Sequence, residues 1–190
     1  MTAAIPEKWE PTTLLGKGQR GEVYATRDRT VVCKITRDPT EAKGAALLLK
    51  EPAWPAGIVQ HFLVRKTGAG ETALWRRRVD KRFDYGMLDK YDLPNGDNPL
   101  LNAWAQSWEY GNLLYNGGSP AEMMRWRQRY LRAALAMTRF RETKDLGKSL
   151  VRLMMSRGIY FGDMHDLNFG VLGGKFVLTD LGMTAVLSRP

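Results

Sequence analysis

A glycine triplet that runs into a strand instead of a helix is the strongest constraint on this chain. Gly16-x-Gly18-x-x-Gly21 is followed by Glu22-Val23-Tyr24-Ala25-Thr26, a charged turn at Arg27-Asp28-Arg29, and Thr30-Val31-Val32-Cys33-Lys34-Ile35. A dinucleotide-binding turn needs its third glycine to open a helix, and here Val23 and Tyr24 continue as a strand. With Thr13-Leu14-Leu15 ahead of the glycines, the segment reads as three antiparallel strands joined by a glycine turn and a tight hairpin. Such a turn suits phosphate oxygens, because missing side chains let backbone N–H groups approach them. Lys34, on the next strand, either snorkels from a sheet edge or points at a phosphate. The glycine loop directly before it favours the second reading.

Asp38-Pro39-Thr40-Glu41 supplies an N-cap, proline at the first helical position and Glu three beyond the cap, which predicts a helix over about 39–50. A second hairpin is expected from 58–66 and 72–79 around Gly68-Ala69-Gly70-Glu71. The looser stretch 86–118 carries one helix near 100–115. Ser119-Pro120-Ala121-Glu122 opens a long helix to about 141, with Met123, Trp126, Tyr130, Ala134 and Met137 as an apolar stripe and Arg125, Arg129, Arg132 and Arg139 beside it. A further helix with Leu146, Leu150 and Leu153 on one face stops at Gly158.

Strands with one helix come first and helices second. The fold class is therefore α+β, as one domain or one domain made of two small lobes. Hydrophobic residues make up 44% and charged residues 26%, a globular balance. No apolar run reaches membrane-spanning length and the first residues lack a signal-peptide core, so no membrane partner is expected. The single cysteine, Cys33, cannot form an internal disulfide, and a reduced cytoplasmic compartment is the expectation. The net charge of +9 favours an anionic partner, whether nucleotide, nucleic acid or acidic protein.

The second candidate cluster lies in 162–182. Apolar runs at 168–172 and 175–179 flank Gly173-Gly174, a hairpin signature that would bring Asn168 and Asp180 side by side, with Asp163 nearby. Their oxygens suit a hard divalent cation such as magnesium. Equally, Asp and Asn are ordinary turn residues.

In order, Gly16-x-Gly18-x-x-Gly21-x-Val23, Lys34, Asp163-x-x-x-x-Asn168 and Asp180-Leu181-Gly182 resemble the glycine loop, strand lysine, catalytic loop and metal triplet of the protein-kinase fold, over about residues 12–185. The resemblance implies ATP and Mg2+ as cofactors and a two-lobed kinase-like fold, with an ATP-binding lobe over 1–82 and a helical lobe carrying the catalytic loop and metal-binding hairpin over 83–190. It implies that Lys34 holds the α/β-phosphates and pairs with a glutamate of the first helix, Glu41 or, as second choice, Glu51. Glu41 has a plainer reading as a capping-box residue. Asp163 would take or orient the proton of the attacking hydroxyl, Asn168 and Asp180 would hold magnesium, and adenine would sit near 79–82.

The departures are specific. Phe161 and Gly162 stand where eukaryotic kinases have His-Arg, His165 stands where they have Lys, and Leu181 replaces Phe. The chain ends eight residues after Gly182, so a long activation segment is not expected, and Thr184 and Ser188 are the only hydroxyl residues there. Asp163-Met164-His165-x-x-Asn168 with the glycine-turn hairpin ending in Thr179-Asp180 is similar to the early serine/threonine kinases of short-tailed phages of the T-seven type. That resemblance implies host proteins as substrates, including transcription and RNA-processing proteins, and the enzyme itself. His165 also occurs in aminoglycoside and other small-molecule kinases, which gives a second reading. A third is a non-catalytic kinase-fold or nucleic-acid binder, suggested by Trp75-Arg76-Arg77-Arg78 and Met124-Arg125-Trp126-Arg127. Trp126 lies on the apolar stripe, so packing explains it better. The intact set Lys34, Asp163, Asn168 and Asp180 favours catalysis.

Overall fold

A computed structural model describes residues 4–68, 70–84, 86–87 and 98–187. It is an α+β protein that divides into two compact units, Met1–Trp54 with Val59–Arg78, and Pro55–Ile58 with Val79–Pro190. The changeover falls after Arg78 instead of after 82. Lys81 and Arg82 are strand residues paired with Val171 and Gly170, which draws them into the second unit.

In the first unit, β1 (Pro11–Gly18), β2 (Gly21–Thr26), β3 (Val31–Thr36), β4 (His61–Lys66) and β5 (Thr72–Arg77) form one antiparallel sheet in the order β1-β2-β3-β5-β4. The period-two alternation of strand side chains sorts β3 and β5 onto two faces. Val31 and Cys33 join Ala73 and Trp75 on one face, where Ile5, Trp9, Ile35, Phe62 and Leu63 pack over them. Trp75 donates its indole N–H to the Trp9 carbonyl at 2.8 Å, which ties the N-terminal segment to the sheet. Burial on this face pushes the Cys33 thiol up to about 12, so it behaves as a small apolar group and not as a nucleophile.

The alternate residue Lys34 belongs to the other face, which α1 (Pro39–Leu48) covers with the fully buried Ala45 and Leu48. Asp38 caps α1, accepting from the Thr40 N–H at 2.8 Å and the Thr40 hydroxyl at 2.6 Å. The helix ends at Leu48, short of the expected 50, because Lys50 and Glu51 donate three residues back to Leu47 and Leu48 and tighten the last turn before Pro52.

Among the described residues the second unit has three longer helices, α2 (Pro99–Tyr115), α3 (Pro120–Met137) and α4 (Lys144–Arg157). Asn98 caps α2 and a Ser119–Glu122 capping box starts α3. Helix α3 stops at Met137 and not near 141, since the Thr143 hydroxyl caps the Met137 carbonyl at 2.8 Å and turns the chain into α4. Gly158, at φ 65, terminates α4 in the left-handed conformation that glycine tolerates best. The apolar stripe of α3 is the core. Trp126 is fully buried, with its ring 4.6 Å from Tyr110, 5.4 Å from Tyr130 and 5.3 Å from Tyr160.

Five short strands among the described residues belong to this unit. β6 (Lys81–Arg82), β8 (Phe169–Leu172) and β9 (Lys175–Leu178) form one antiparallel sheet, and β7 (Ile159–Phe161) pairs with β10 (Thr184–Val186). Gly173 and Gly174, at φ 58 and 76, make the β8–β9 turn. No helix among the described residues is long and apolar enough to cross a membrane. Ser188 and the turn-rich stretch 93–97 lie outside the described residues.

Candidate active site

In the first unit the glycine hairpin closes with Gly18 opposite Gly21, Lys17 opposite Glu22 and Gly16 opposite Val23. Gly21 and Gly18 do not answer to the same constraint. A Cβ on Gly21 would lie 2.5 Å from the Ile35 carbonyl, so close strand packing requires glycine there. At Gly18 a Cβ would meet only the Gly21 carbonyl, at 3.8 Å, so the packing of the protein alone does not demand that glycine. The tip is braced from β3 and α1. The Arg20 guanidinium lies 3.2 Å from Asp38 Oδ2 and the Arg20 carbonyl accepts from Arg37 N–H at 2.8 Å. Burial acts to raise the Asp38 carboxyl, but hydrogen bonds from Thr40 and Arg20 outweigh it and hold the group below its ordinary value.

Val23 pairs with Lys34 across β2 and β3. Lys34 Nζ is 2.8 Å from Glu41 Oε1, and the two side chains are 12% and 1% exposed. The partner of Lys34 is thus Glu41 of α1. Its carboxylate points into the unit, while the backbone N–H of Asp38 goes to the Thr36 hydroxyl at 3.1 Å. The capping-box reading of Glu41 therefore gives way to an ion pair.

In the second unit two pairings bring the other candidates together. Phe161 is opposite Thr184 in β7–β10, and Phe169 is opposite Leu178 in β8–β9. The loops 162–168 and 179–183 therefore begin and end beside one another. Thr179 locks their junction, donating its N–H at 2.7 Å and its hydroxyl at 2.9 Å to the Asn168 carbonyl. Gly182 marks the meeting point of the carboxylates. A Cβ built there would stand 2.8 Å from Asp163 Oδ2 and 3.4 Å from Asp180 Oδ1. The Gly182 N–H donates to Asp180 Oδ1 at 2.9 Å, fixing that carboxylate.

Asn168 is 7% exposed and donates its amide N–H to the Asp163 carbonyl at 2.7 Å. Only the nitrogen can make that bond, so the orientation of the amide is settled and Oδ1 is the atom it offers as an acceptor or ligand. His165 Nδ1 lies 3.2 Å from the Leu167 N–H, which donates to it, and its Nε2 lies 3.5 Å from Asp163 Oδ1. The Asn168 amide nitrogen also approaches His165 Nε2 at 3.0 Å.

Among the described residues no three or more His, Cys, Asp or Glu side chains form a self-sufficient metal cage. Magnesium does not require one. A carboxylate and an amide oxygen, with phosphate oxygens and water completing the octahedron, match its usual donor set, so Asp180 and Asn168 fit the ion.

Lys34, Glu41, Val23 and the glycines thus come together in one unit, and Asp163, Asn168 and Asp180 in the other. The segment proposed for adenine, 79–82, belongs to the second unit, where Val79 packs on Gly170. Sequence reading missed the β7–β10 pair, although Ile159-Tyr160-Phe161 after a helix-ending glycine carries a short strand signal. It also missed why position 162 is glycine: a Cβ there would lie 2.3 Å from the Tyr110 ring. Compared with protein-family models and with curated proteins, the chain matches none.

Proposed function

We propose that this chain is an ATP-dependent phosphotransferase of kinase-like, two-lobed fold that moves the γ-phosphate to a serine or threonine hydroxyl of a protein, in the manner of the phage-type kinases it resembles. The observation that carries the reading is the buried Lys34–Glu41 pair. Desolvating two charges offsets most of what their attraction returns, so such a pair is poor value as a stabilising device. It makes sense as a way to hold an ammonium group fixed for an anion. The convergence of Asp163, Asn168 and Asp180 supports the same reading.

Lys34 would bind α/β-phosphate oxygens, and Gly18 would leave backbone N–H groups uncovered for them. Asp163 would orient the acceptor hydroxyl and accept its proton as the oxygen attacks. His165, fixed by the Leu167 N–H, would hold the Asp163 carboxylate in place. Asn168 and Asp180 would hold Mg2+, which when bound neutralises phosphate charge.

The test is transfer of label from γ-labelled ATP with Mg2+, offered separately to a bacterial lysate and to aminoglycosides. Asp163→Asn is expected to slow transfer about 10²–10⁴-fold, the usual worth of a positioned base, with nucleotide binding retained. Asp180→Asn should abolish transfer with the fold intact. Label entering only a small molecule would replace the protein substrate by the second reading. Wild-type rates in both variants would remove the catalytic assignment.

A further inference from the structure

We infer that Arg20 is a positioning residue for nucleotide binding: its pair with Asp38 ties the tip of the glycine hairpin to the start of α1 and so sets the hairpin against Lys34. This role rests on the phosphotransferase reading, in which hairpin and lysine meet the same phosphates. The tip has little else to hold it. Residues 17–20 are all exposed, and a Cβ on Gly18 would meet only the Gly21 carbonyl, at 3.8 Å. Pairing of β1 with β2 reaches out to Gly18 and Gly21 and leaves Gln19 and Arg20 as the turn. The bonds that fix this turn come from the chain between β3 and α1. The Arg20 carbonyl accepts the Arg37 N–H at 2.8 Å and the Thr36 hydroxyl at 3.4 Å, and Arg20 Nη1 donates to Asp38 Oδ2 at 3.2 Å.

Asp38 divides its two oxygens between two tasks. Oδ1 accepts from the Thr40 N–H and hydroxyl and caps α1, while Oδ2 takes Arg20. Within the first turn of the same helix, Glu41 holds Lys34 Nζ at 2.8 Å. Lys34 in turn pairs across the sheet with Val23, on the strand that Gly21 opens. The contacts close a ring that runs from the hairpin tip through Asp38, the first turn of α1, Glu41, Lys34 and β2 back to the tip. One carboxylate thus joins the glycine hairpin to the lysine, the two parts of this unit that would meet phosphate oxygens.

Folding stability does not account for the Arg20 end of the ring. The Arg20 side chain is 61% exposed, and pairs open to water on one side contribute little to folding. Helix α1 would keep its cap through Oδ1 alone. What the pair removes is the freedom of the tip, which an unbraced hairpin would lose on closing over a nucleotide at the expense of affinity.

The experiment is isothermal titration calorimetry of the full chain with Mg2+ and a non-hydrolysable ATP analogue, and with adenosine, which carries no phosphate. Arg20→Ala should weaken binding of the analogue about 5-fold, the consequence of releasing one residue that the ligand must order again, and leave adenosine binding unchanged. Asp38→Asn is the decisive variant. Its Oδ1 keeps the cap, while its Nδ2 faces Arg20 as donor against donor. If Arg20 acted only through its charge, removing the neighbouring carboxylate would tighten binding of an anion. The ring predicts the opposite sign, a loss of about 5-fold, and a double variant no weaker than either single one. If Asp38→Asn fails to fold by circular dichroism, Asp38→Ser retains a capping oxygen, is too short to hold Arg20, and makes the same comparison. Tighter binding in the Asp38 variant, an equal loss for adenosine, or a double variant about 25-fold weaker, the product of independent effects, would each overturn the inference and leave the phosphotransferase reading standing. A wild-type chain that binds neither ligand would overturn both.

Discussion

Replacing Gly182 by alanine separates a catalytic from a structural role for the converging carboxylates. The new Cβ would lie 2.8 Å from Asp163 Oδ2 and 3.4 Å from Asp180 Oδ1. Gly182 does not have a left-handed backbone, so alanine itself adds no strain and loses less entropy on folding, a gain of about 0.4–1 kcal/mol. Against that, the Asp163 carboxylate must swing away, and an off-rotamer side chain costs about 0.5–1.5 kcal/mol. The two terms nearly cancel, and the midpoint of chemical denaturation should scarcely move. Phosphate transfer should fall about 10²-fold, the consequence of displacing a reacting group by roughly 1 Å. Gly162→Ala is the contrast. Its Cβ would meet the buried Tyr110 ring at 2.3 Å, and overpacking of that kind costs about 1–3 kcal/mol, so stability should fall along with activity. Initial rates with labelled ATP and denaturation curves on both variants decide the matter. A Gly182→Ala protein of native stability and wild-type rate would refute the idea that Asp163 and Asp180 act at one place.

The Lys34–Glu41 pair gives a stability prediction of opposite sign for single and double changes. Glu41→Leu alone should cost about 3–5 kcal/mol by stranding a buried ammonium, while Lys34→Met/Glu41→Leu should return to wild-type stability or exceed it, without recovering transfer; denaturation and rate measurements check both. Asp38 gives a pH dependence. Its folded carboxyl is held below its unfolded value, so its contribution is complete above the unfolded value near pH 4 and lost as pH falls through the folded one. Asp38→Ala should therefore cost about 1 kcal/mol at neutral pH, the usual worth of an N-cap, and much less near pH 2, by urea denaturation at each pH.

Much of the fold was legible because it rests on local chemistry. Asp38-Pro39, Ser119-Pro120 and Gly158 are start and stop signals that act within a turn, and each marks a helix end. The β8–β9 hairpin was readable from Gly173-Gly174 for the same reason. What escaped was set by residues distant in sequence. Trp9 covering Trp75, and β7 pairing with β10, depend on partners that no local window contains. The left-handed Met183, at φ 51, is likewise imposed by its surroundings, since methionine has no intrinsic preference for that region. The candidate site divides along the same line. The residue types and their order could be read, with Glu41 already ranked ahead of Glu51 as the partner of Lys34, but the placement of Gly182 against Asp163 and Asp180 came from packing.

Packing also bears on control of the proposed activity. Kinases switched by phosphorylation use an arginine before the catalytic Asp to hold a loop phosphate. Position 162 cannot serve that purpose, since even a Cβ would strike the Tyr110 ring. Thr184 is no better placed to receive the phosphate. It is 4% exposed, its hydroxyl donates to the Leu181 carbonyl, and its backbone is paired with Phe161 in the β7–β10 ladder. Phosphorylation there would bury a dianion and detach β10 from the strand that leads into Asp163, so it would inactivate. Thr184→Val keeps the shape and the strand preference and removes one hydrogen bond, a loss of about 1 kcal/mol. Its initial rate of transfer should equal that of phosphatase-treated wild type, and neither should show a lag. Thr184→Glu should unfold at markedly lower denaturant, because it puts a charge at a buried position. A lag in the wild type that preincubation with ATP abolishes, and whose removal Thr184→Val prevents, would refute this argument. It would mean that β10 leaves β7 readily enough for Thr184 to be modified, and that the pairing is a switch instead of a fixed brace.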